Sequence, residues 1–288
     1  MTWGAVVVNH NGGPLLAACV RSVLADGADE VVVVDNESTD GSIEDLEAED
    51  LGAVVIRAGA NRGYAAGANQ GLDRCSSDVV AVLNPDTVLE PGTGAAMVAR
   101  FDDPAIGAAG PRLLNPDGTT YPSARTVPST LTAAGHGAFG LVAPGNRFTR
   151  RYRQLDVDPS VPRDVDWVSG AAVWLRRRAL DEIGGWDEGY FMYVEDVDLC
   201  WRLRQAGWRI AYEPSGRVVH VQGTATARRP YRMLVAHHRS LLRFAAKRWR
   251  GPRRLLLAPA AVYLGLRALG AVIHHRLRGR SGAAVSSE

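Results

Sequence analysis

The sequence predicts an α/β fold with a mainly parallel central sheet, followed by a basic helical tail. Short valine-rich runs, Ala5 to Val8, Val31 to Val34, Val54 to Ile56 and Val79 to Leu83, recur along the N-terminal third of the 288 residues. They are apolar at successive positions, a pattern that suits strands covered on both faces. Between them lie Leu15 to Ala25, Ser42 to Glu49 and Ala65 to Arg74, which are long enough to be crossover helices. The tail is marked by charge. The formal net charge of +2 divides into about −12 for residues 1–213 and +14 beyond, where no acidic residue occurs between Glu213 and Glu288. Such a tail calls for an anionic partner, either nucleic acid or a membrane surface. The expected division is an α/β domain over 1–225 and a basic helical tail over 226–288.

The remaining elements follow in order. The segment Asn115 to Asp164, rich in Pro, Gly, Thr and Arg, reads as a long loop over the site. Regular structure resumes over Val165 to Leu175. A helix is expected over Arg177 to Ile183, closed by Gly184-Gly185, and another over Glu195 to Ala206, ended by Gly207. Arg209 to Tyr212 and Arg217 to Val221 read as two strands. From Tyr231 the pattern is helical and basic. Leu255 to Ile273 is a nearly apolar 19-mer, about 28 Å long as a helix, close to a bilayer core. Pro259, Arg267 and the flanks KRWRGPRR and HHRLRGR favour an interfacial or re-entrant anchor over a clean span. A core-packing helix with solvated arginines is the other reading.

Three widely spaced cysteines, Cys19, Cys75 and Cys200, suggest neither a disulfide framework nor a metal knuckle, and fit a reducing cytoplasm. No charged leader precedes the first strand, so no secretory signal is expected.

In open α/β sheets the ligand sits at the carboxyl ends of the strands. The first suspects are therefore Asn9 to Asn11, Asp35 to Ser38, Asn61 to Gly63 and Asn84 to Asp86. Within Asn84-Pro85-Asp86, the carboxylate can hold a hard divalent cation such as Mg²⁺ or Mn²⁺. The same tripeptide is also a good plain turn. The stretch DEGYFMYVEDVDLCWR brings five carboxylates against aromatic residues at a helix start. Crowded carboxylates near apolar rings acquire raised pKa values suited to a general base. Glu195, Asp196 and Asp198 equally suit the positive end of a helix dipole. No G-x-G-x-x-G follows the first strand, which disfavours a dinucleotide dehydrogenase.

Taken together, VVVNHNGG, VVVDNESTDGS, NRGYAAGANQG, VLNPDT, WVSGAA and GWDEGYFMYVEDVDLCWRLRQAGW resemble glycosyltransferase family 2, and within it the bacterial cell-wall rhamnosyltransferases. The resemblance runs from about Ala5 to His220 and implies a GT-A nucleotide-sugar domain. It implies that Asp35 grips the pyrimidine with Asn36 beside it, and that Asn61, Arg62 and Gly63 line the nucleotide pocket, with Asn9, Asn69 and Asn84 in the same site. Asp86 falls on the second acid of the family's D-x-D motif. Asn84 replaces the first, which leaves a metal fewer charged ligands. His220 matches a histidine that completes metal or diphosphate binding, though a lone histidine ending a strand is otherwise more often structural. Asp196 matches the catalytic base. Trp167, Ser169 and Gly170 match the acceptor side, to which Glu195, Asp198 and Arg202 are added.

The Q-x-x-R-W signature of processive synthases is absent after the carboxylate helix, so transfer of a single sugar is expected. One displacement by one base implies inversion at the anomeric carbon. The expected donor is dTDP-rhamnose and the expected acceptor a polyprenyl diphosphate N-acetylglucosamine, met at the inner leaflet on the cytoplasmic face of the plasma membrane. A family 2 enzyme using a UDP-hexose or UDP-galactofuranose on another acceptor is the rival reading, and a non-catalytic nucleotide-sugar scaffold is the rival of another class. Nucleic-acid binding is not expected, because the acidic body repels phosphate backbones and no recognition motif is present.

Overall fold

The computed structural model describes residues 1–127, 132, 135, 143, 145–221 and 230–283, with side chains described except at 230 and 271–283. The N-terminal half alternates β1 (Trp3–Asn9), α1 (Pro14–Ala25), β2 (Glu30–Asp35), α2 (Ser42–Ala48), β3 (Val54–Arg57), α3 (Tyr64–Arg74) and β4 (Val79–Leu83). These strands are parallel in the order β3-β2-β1-β4. Alternation along β1 explains why it is apolar throughout. Ala5 and Val7 join one core with Leu16, Val20 and Val23 of α1, and Val6 and Val8 join a second with Tyr64, Ala65 and Ala68 of α3. Gly71 lets α3 lie close, since a Cβ there would come within 2.2 Å of Val6 Cγ1.

Beyond β4 come β5 (Thr87–Leu89), α4 (Thr93–Ala99), β6 (Ile106–Leu114), β7 (Ala124–Arg125), α5 (Arg147–Arg153), β8 (Arg163–Val165), β9 (Trp167–Val168), β10 (Ala172–Arg176), α6 (Arg177–Ile183), α7 (Glu195–Gln205) and β11 (Arg209–His220). The sheet continues as β4-β10-β6-β11-β5, with β8 on β11. Strands β6 and β11 run with the first four, whereas β5, β8 and β10 run against them. The expectation of a mainly parallel α/β sheet holds.

Several expectations are corrected in this half. β6 reads IGAAGPRLL, and its glycines and proline hide it from a propensity argument. Its place is secured by neighbours. Gly110 accommodates Val168, whose Cβ would lie 2.5 Å from an added Cβ. Pro111 stands opposite Glu213, at a register shift of β11 where the ladder is already broken. The two strands expected over Arg209 to Val221 are one bulged strand. The long loop expected over Asn115 to Asp164 contains α5 and β7, and β8 begins within it; 128–131, 133–134, 136–142 and 144 lie outside the described residues.

The expected domain boundary at 225/226 also falls outside the described residues. The tail comprises α8 (Pro230–Arg248), a 3-10 turn over Gly251–Leu256 and α9 (Leu257–Ala283). Pro259 sits in the first turn of α9, where its missing N–H costs no helical hydrogen bond. No helix among the described residues is long and apolar enough to cross a membrane.

The tail packs on the carboxylate helix. Phe244 joins Tyr190 and Val194 in a small core and meets Trp201 edge-on at 6.0 Å, and Ser240 donates to Met192 O at 3.0 Å. Lys247, the single lysine of the chain, donates to Asp187 at 2.8 Å and to the fully buried Asp198 at 2.6 Å. Arg243 also holds Asp187. Burial works to raise the Asp187 carboxyl, but hydrogen bonds from Lys247 and Arg243 prevail and hold it well below the usual carboxylate range. Removing a charged partner from a buried hydrogen bond costs about 1.5–3 kcal/mol. Lys247→Met is therefore expected to lose about that much stability in urea unfolding, with Lys247→Arg recovering part of it. An unchanged unfolding midpoint for Lys247→Met would show that this contact contributes nothing.

Candidate functional site

The carboxyl ends of β1, β2 and β4 open into a cavity of about 1080 Å³ that is roofed by the tail. Its floor is built at the β4 exit. Asn84 N–H donates to Ala171 O at 2.9 Å, fixing the turn that presents Asp86. His220 pairs with Thr87 across the antiparallel β5–β11 ladder. That register places His220 Nε2 3.2 Å from Asp86 Oδ1 and 3.4 Å from the Asn84 amide nitrogen. The other ring nitrogen, Nδ1, is buried without a hydrogen-bond partner. A carboxylate, an imidazole and an amide fit a hard divalent cation that takes its remaining ligands from water or diphosphate oxygens. Among the described residues no cluster of three or more His, Cys, Asp or Glu forms a closed metal cage.

The catalytic wall is the first turn of α7. Tyr193 and Val194, immediately before it, both have left-handed backbones, φ 66° and 71°. For a β-branched residue this is strained by roughly 1–3 kcal/mol, a cost sustained by surrounding contacts. Val194 packs into the Tyr190–Phe244 core, and its carbonyl accepts the Asp198 N–H at 2.9 Å. The sharp entry turns Glu195 and Asp196 into the cavity.

Asp196 accepts the Gly170 N–H at 3.0 Å and the Val197 N–H at 2.8 Å. Gly170 sits so close that an added Cβ would lie 3.1 Å from Asp196 Cβ. Its carbonyl in turn accepts the Tyr64 hydroxyl at 2.6 Å. Burial raises the Asp196 carboxyl, while these N–H groups and Arg125 oppose the rise. Burial first, and then the Asp196 charge, push Glu195 up to about 8. Glu195 Oε2 has no hydrogen-bond partner among the described residues. Both carboxyls are raised by burial, Glu195, which lacks donors, being favoured in its neutral form and Asp196, which has them, being the more readily charged. A buried, oriented, charged carboxylate facing an open cavity can accept a proton from a substrate hydroxyl.

The structure brings together Asn36, Asn61, Asn84, Asp86, Trp167, Ser169, Gly170, Glu195, Asp196 and His220 around this cavity. Other expected site residues take different positions. Asp35 lies beside the cavity, accepting the Ser38 N–H and, at 3.4 Å, the Asn9 amide. Gly63 has φ 98° and abuts the Phe191 carbonyl, and its N–H is accepted by Asn61 Oδ1 at 3.0 Å, so it seats α3 against the aromatic run. Arg62 forms an exposed pair with Glu188.

Four residues expected in the site are corrected to supporting positions. Asn9 is fully buried and tied to Gly12, Ser38 and Ser42. Asn69 bridges the main chain of Trp186, accepting at 2.9 Å and donating at 3.0 Å. Asp198 is occupied by Tyr190, Arg202 and Lys247, and Arg202 by Asp198 and the carbonyls of Ile183 and Gly185. For Asn9, Asn69 and Asp198 partners within the fold consume hydrogen-bonding capacity that a ligand would use, and Arg202 commits Nε and Nη1 in the same way.

Sequence reasoning missed Tyr64, Arg125 and Tyr152, and gave no role to His10 within the suspect range Asn9 to Asn11; all four line the cavity. His10 was legible, since it stands inside the first motif between two expected site asparagines. Arg125 was not. It lies in a segment without periodicity, and only the fold stacks its guanidinium over Trp167 at 4.9 Å and Tyr152 at 5.4 Å. Glu195→Gln is expected to leave the acidic limb of the rate profile in place, because Glu195 already carries its proton there, and to remove the fall in rate as pH rises through about 8, where the native side chain gains a charge beside Asp196. Since the Glu195 carboxyl is raised by folding, its contribution to stability is greatest at acid pH and is lost as pH rises through about 8. Glu195→Gln should accordingly be relatively more stable above that pH. A rate profile unmoved by the substitution would overturn the assignment of the neutral form to Glu195.

The family profile described as "Glycosyltransferase like family 2" matches residues 3–236. The N-acetylglucosaminyl-diphospho-decaprenol L-rhamnosyltransferase of Mycobacterium tuberculosis is 37% identical over 270 residues, covering 88% of each chain. The pre-mycofactocin glycosyltransferase of the same organism is 34% identical over 196 residues, covering 66% of this chain and 37% of that one. Among solved structures, a mannosyltransferase from Pyrobaculum calidifontis in complex with GDP-Man and Mn²⁺ aligns over 99% of this chain and 80% of its own, with a TM-score of 0.58 at 19% identity, a likeness of fold. With its α/β fold in place and a buried aspartate facing the cavity at the sheet's carboxyl edge, the chain belongs to glycosyltransferase family 2 and is a glycosyltransferase.

Proposed function

We propose that the protein transfers one L-rhamnose from dTDP-rhamnose to a polyprenyl diphosphate N-acetylglucosamine, with inversion, in the assembly of a cell wall or surface polysaccharide. The observation that carries this reading is the buried Asp196 carboxylate, oriented by the Gly170 and Val197 N–H groups and facing a cavity whose other wall is an apolar and cationic tail. The similarity to the mycobacterial rhamnosyltransferase, which covers most of both chains, supports the choice of donor and acceptor.

In this reading Asp35 and Asn36 receive the base, with Asn61 beside them. Asp86 and His220 would hold Mg²⁺ or Mn²⁺, which would supply positive charge against the leaving nucleoside diphosphate. Asp196 takes the proton from the acceptor hydroxyl, which attacks the anomeric carbon. Protonated Glu195 keeps a second negative charge away from Asp196, and Trp167, Ser169 and Gly170 shape the acceptor side. The tail, with its +13 charge over 226–288, holds the protein to the anionic inner leaflet as a peripheral or monotopic protein, each arginine adding about 1 kcal/mol near the surface. The use of a UDP-hexose or UDP-galactofuranose is the alternative outcome of the donor test.

Release of nucleoside diphosphate is to be measured with dTDP-rhamnose and UDP-sugars, with and without the lipid-linked acceptor. Acceptor-dependent release from dTDP-rhamnose alone is expected, and release only from a UDP-sugar would overturn the donor. Asp196→Asn should lose about 10²–10⁴ in turnover with nucleotide affinity retained, and lost affinity would overturn its role as base. Asp86→Asn should raise the metal concentration needed for half-maximal rate. An unchanged requirement would remove Asp86 from the metal site.

A further inference from the structure

The cavity has two chemically different ends. At the sheet edge it is acidic, with Asp86, Glu195 and Asp196. At the tail end it is lined by Arg248 and Arg267 among apolar side chains, and the tail from 230 to 283 contains no acidic residue. Its volume of about 1080 Å³ stands at the top of the roughly 300–1000 Å³ usual for a pocket holding one ligand, so there is room for two.

Helix α9 divides this tail end from the outside. Pro259, Ala260, Tyr263, Leu264 and Arg267, spaced one helical turn apart in overlapping pairs, line the cavity. Val262, Leu266 and Leu269 are 63%, 65% and 57% exposed on other faces. A helix apolar around most of its circumference is normally buried on all sides. Here one apolar side faces the interior of the cavity and another faces outward. Arg267 Nε is buried in this wall and has no hydrogen-bond partner among the described residues, and a buried donor of that kind calls for an anionic acceptor. Burial first, with help from His238 and Arg267, depresses His237 to about 4, so His237 is neutral near pH 7 and supplies no competing charge.

A free nucleotide would leave the apolar stripe unused, and an uncharged hydrocarbon would leave Arg267 unsatisfied. An anion with an apolar tail satisfies both. Continuity of this end with Asp196 makes that amphiphile the acceptor and not a bystander lipid. We infer that the inner stripe of α9 is the subsite for the lipid part of the acceptor: Arg267, with Arg248, engages the diphosphate, and Leu264, Ala260 and Tyr263 hold the first isoprene units. The inference rests on the polyprenyl diphosphate reading above and adds which residues recognise the lipid.

The test uses the full chain and three N-acetylglucosamine acceptors: farnesyl diphosphate-linked, methyl diphosphate-linked, and farnesyl-linked without phosphate. Leu264→Asn is expected to raise the acceptor KM tenfold or more for the farnesyl compounds while changing it less than twofold for the methyl diphosphate. Arg267→Gln should raise it tenfold for both diphosphates but not for the phosphate-free compound. The donor KM should move less than twofold in either variant. Equal losses on all three acceptors, a change confined to the donor KM, or no change would each overturn the subsite. If Leu264→Asn does not fold, Ala260→Gln on the same stripe makes the same discrimination. A native protein inactive on the farnesyl diphosphate acceptor but active on another would instead overturn the proposed function, and that result is separate from a native enzyme whose variants fail to discriminate.

Discussion

A buried carboxylate, Asp198, ties together the parts on which this molecule depends. It has no solvent exposure, and a charge in that position is tolerable only with close partners. Arg202 supplies one from the same helix, at 2.7 Å, and Lys247 another from the tail, at 2.6 Å, with the Tyr190 hydroxyl completing the set. Arg202 extends the network to the carbonyls that end α6, and Lys247 extends it to Asp187. One charge thereby fixes α7 to α6 on one side and to α8 on the other.

The consequence is felt one turn earlier in α7. Glu195 and Asp196 enter the helix from two left-handed residues, a conformation that would relax if its surroundings were loose. The Asp198 network, the Val194–Phe244 contact and the Gly170 hydrogen bond hold it from three directions. The geometry of the base and the attachment of the tail are therefore parts of one arrangement. Anchoring the tail to a membrane would position the base relative to that membrane, which an enzyme with a lipid-borne acceptor requires.

The opposite wall follows a different logic. Asp86 and His220 meet because two distant segments, the β4 exit and the end of β11, are joined through the short antiparallel strand β5. The parallel half of the sheet supplies the nucleotide-facing loops, and the antiparallel insertion brings in the histidine. The two halves of the sheet thus meet at one site, Asp86 beside His220, while Asp196 reaches the same cavity from α7.

Local pattern was sufficient for the α/β class, for the valine strands β1 to β4, for the crossover helices and for the Gly184-Gly185 stop of α6, because each depends on periodicity, capping or burial on both sheet faces. The ordered motifs pointed to Asp86, Asp196 and His220, which the fold sets around one cavity. Other features were decided only by the tertiary structure. Strand β6 exists because Val168 and the β11 bulge accommodate its Gly110 and Pro111. Asn9, Asn69, Asp198 and Arg202 carry the polar character of site residues, yet they are spent on neighbours that sequence distance conceals. The tail looked like an appendage because charge and hydropathy are counted along the chain. Whether an arginine or leucine faces solvent, lipid or a cavity depends on what the fold sets opposite it, and here Arg267 and Leu264 face the same cavity as the base.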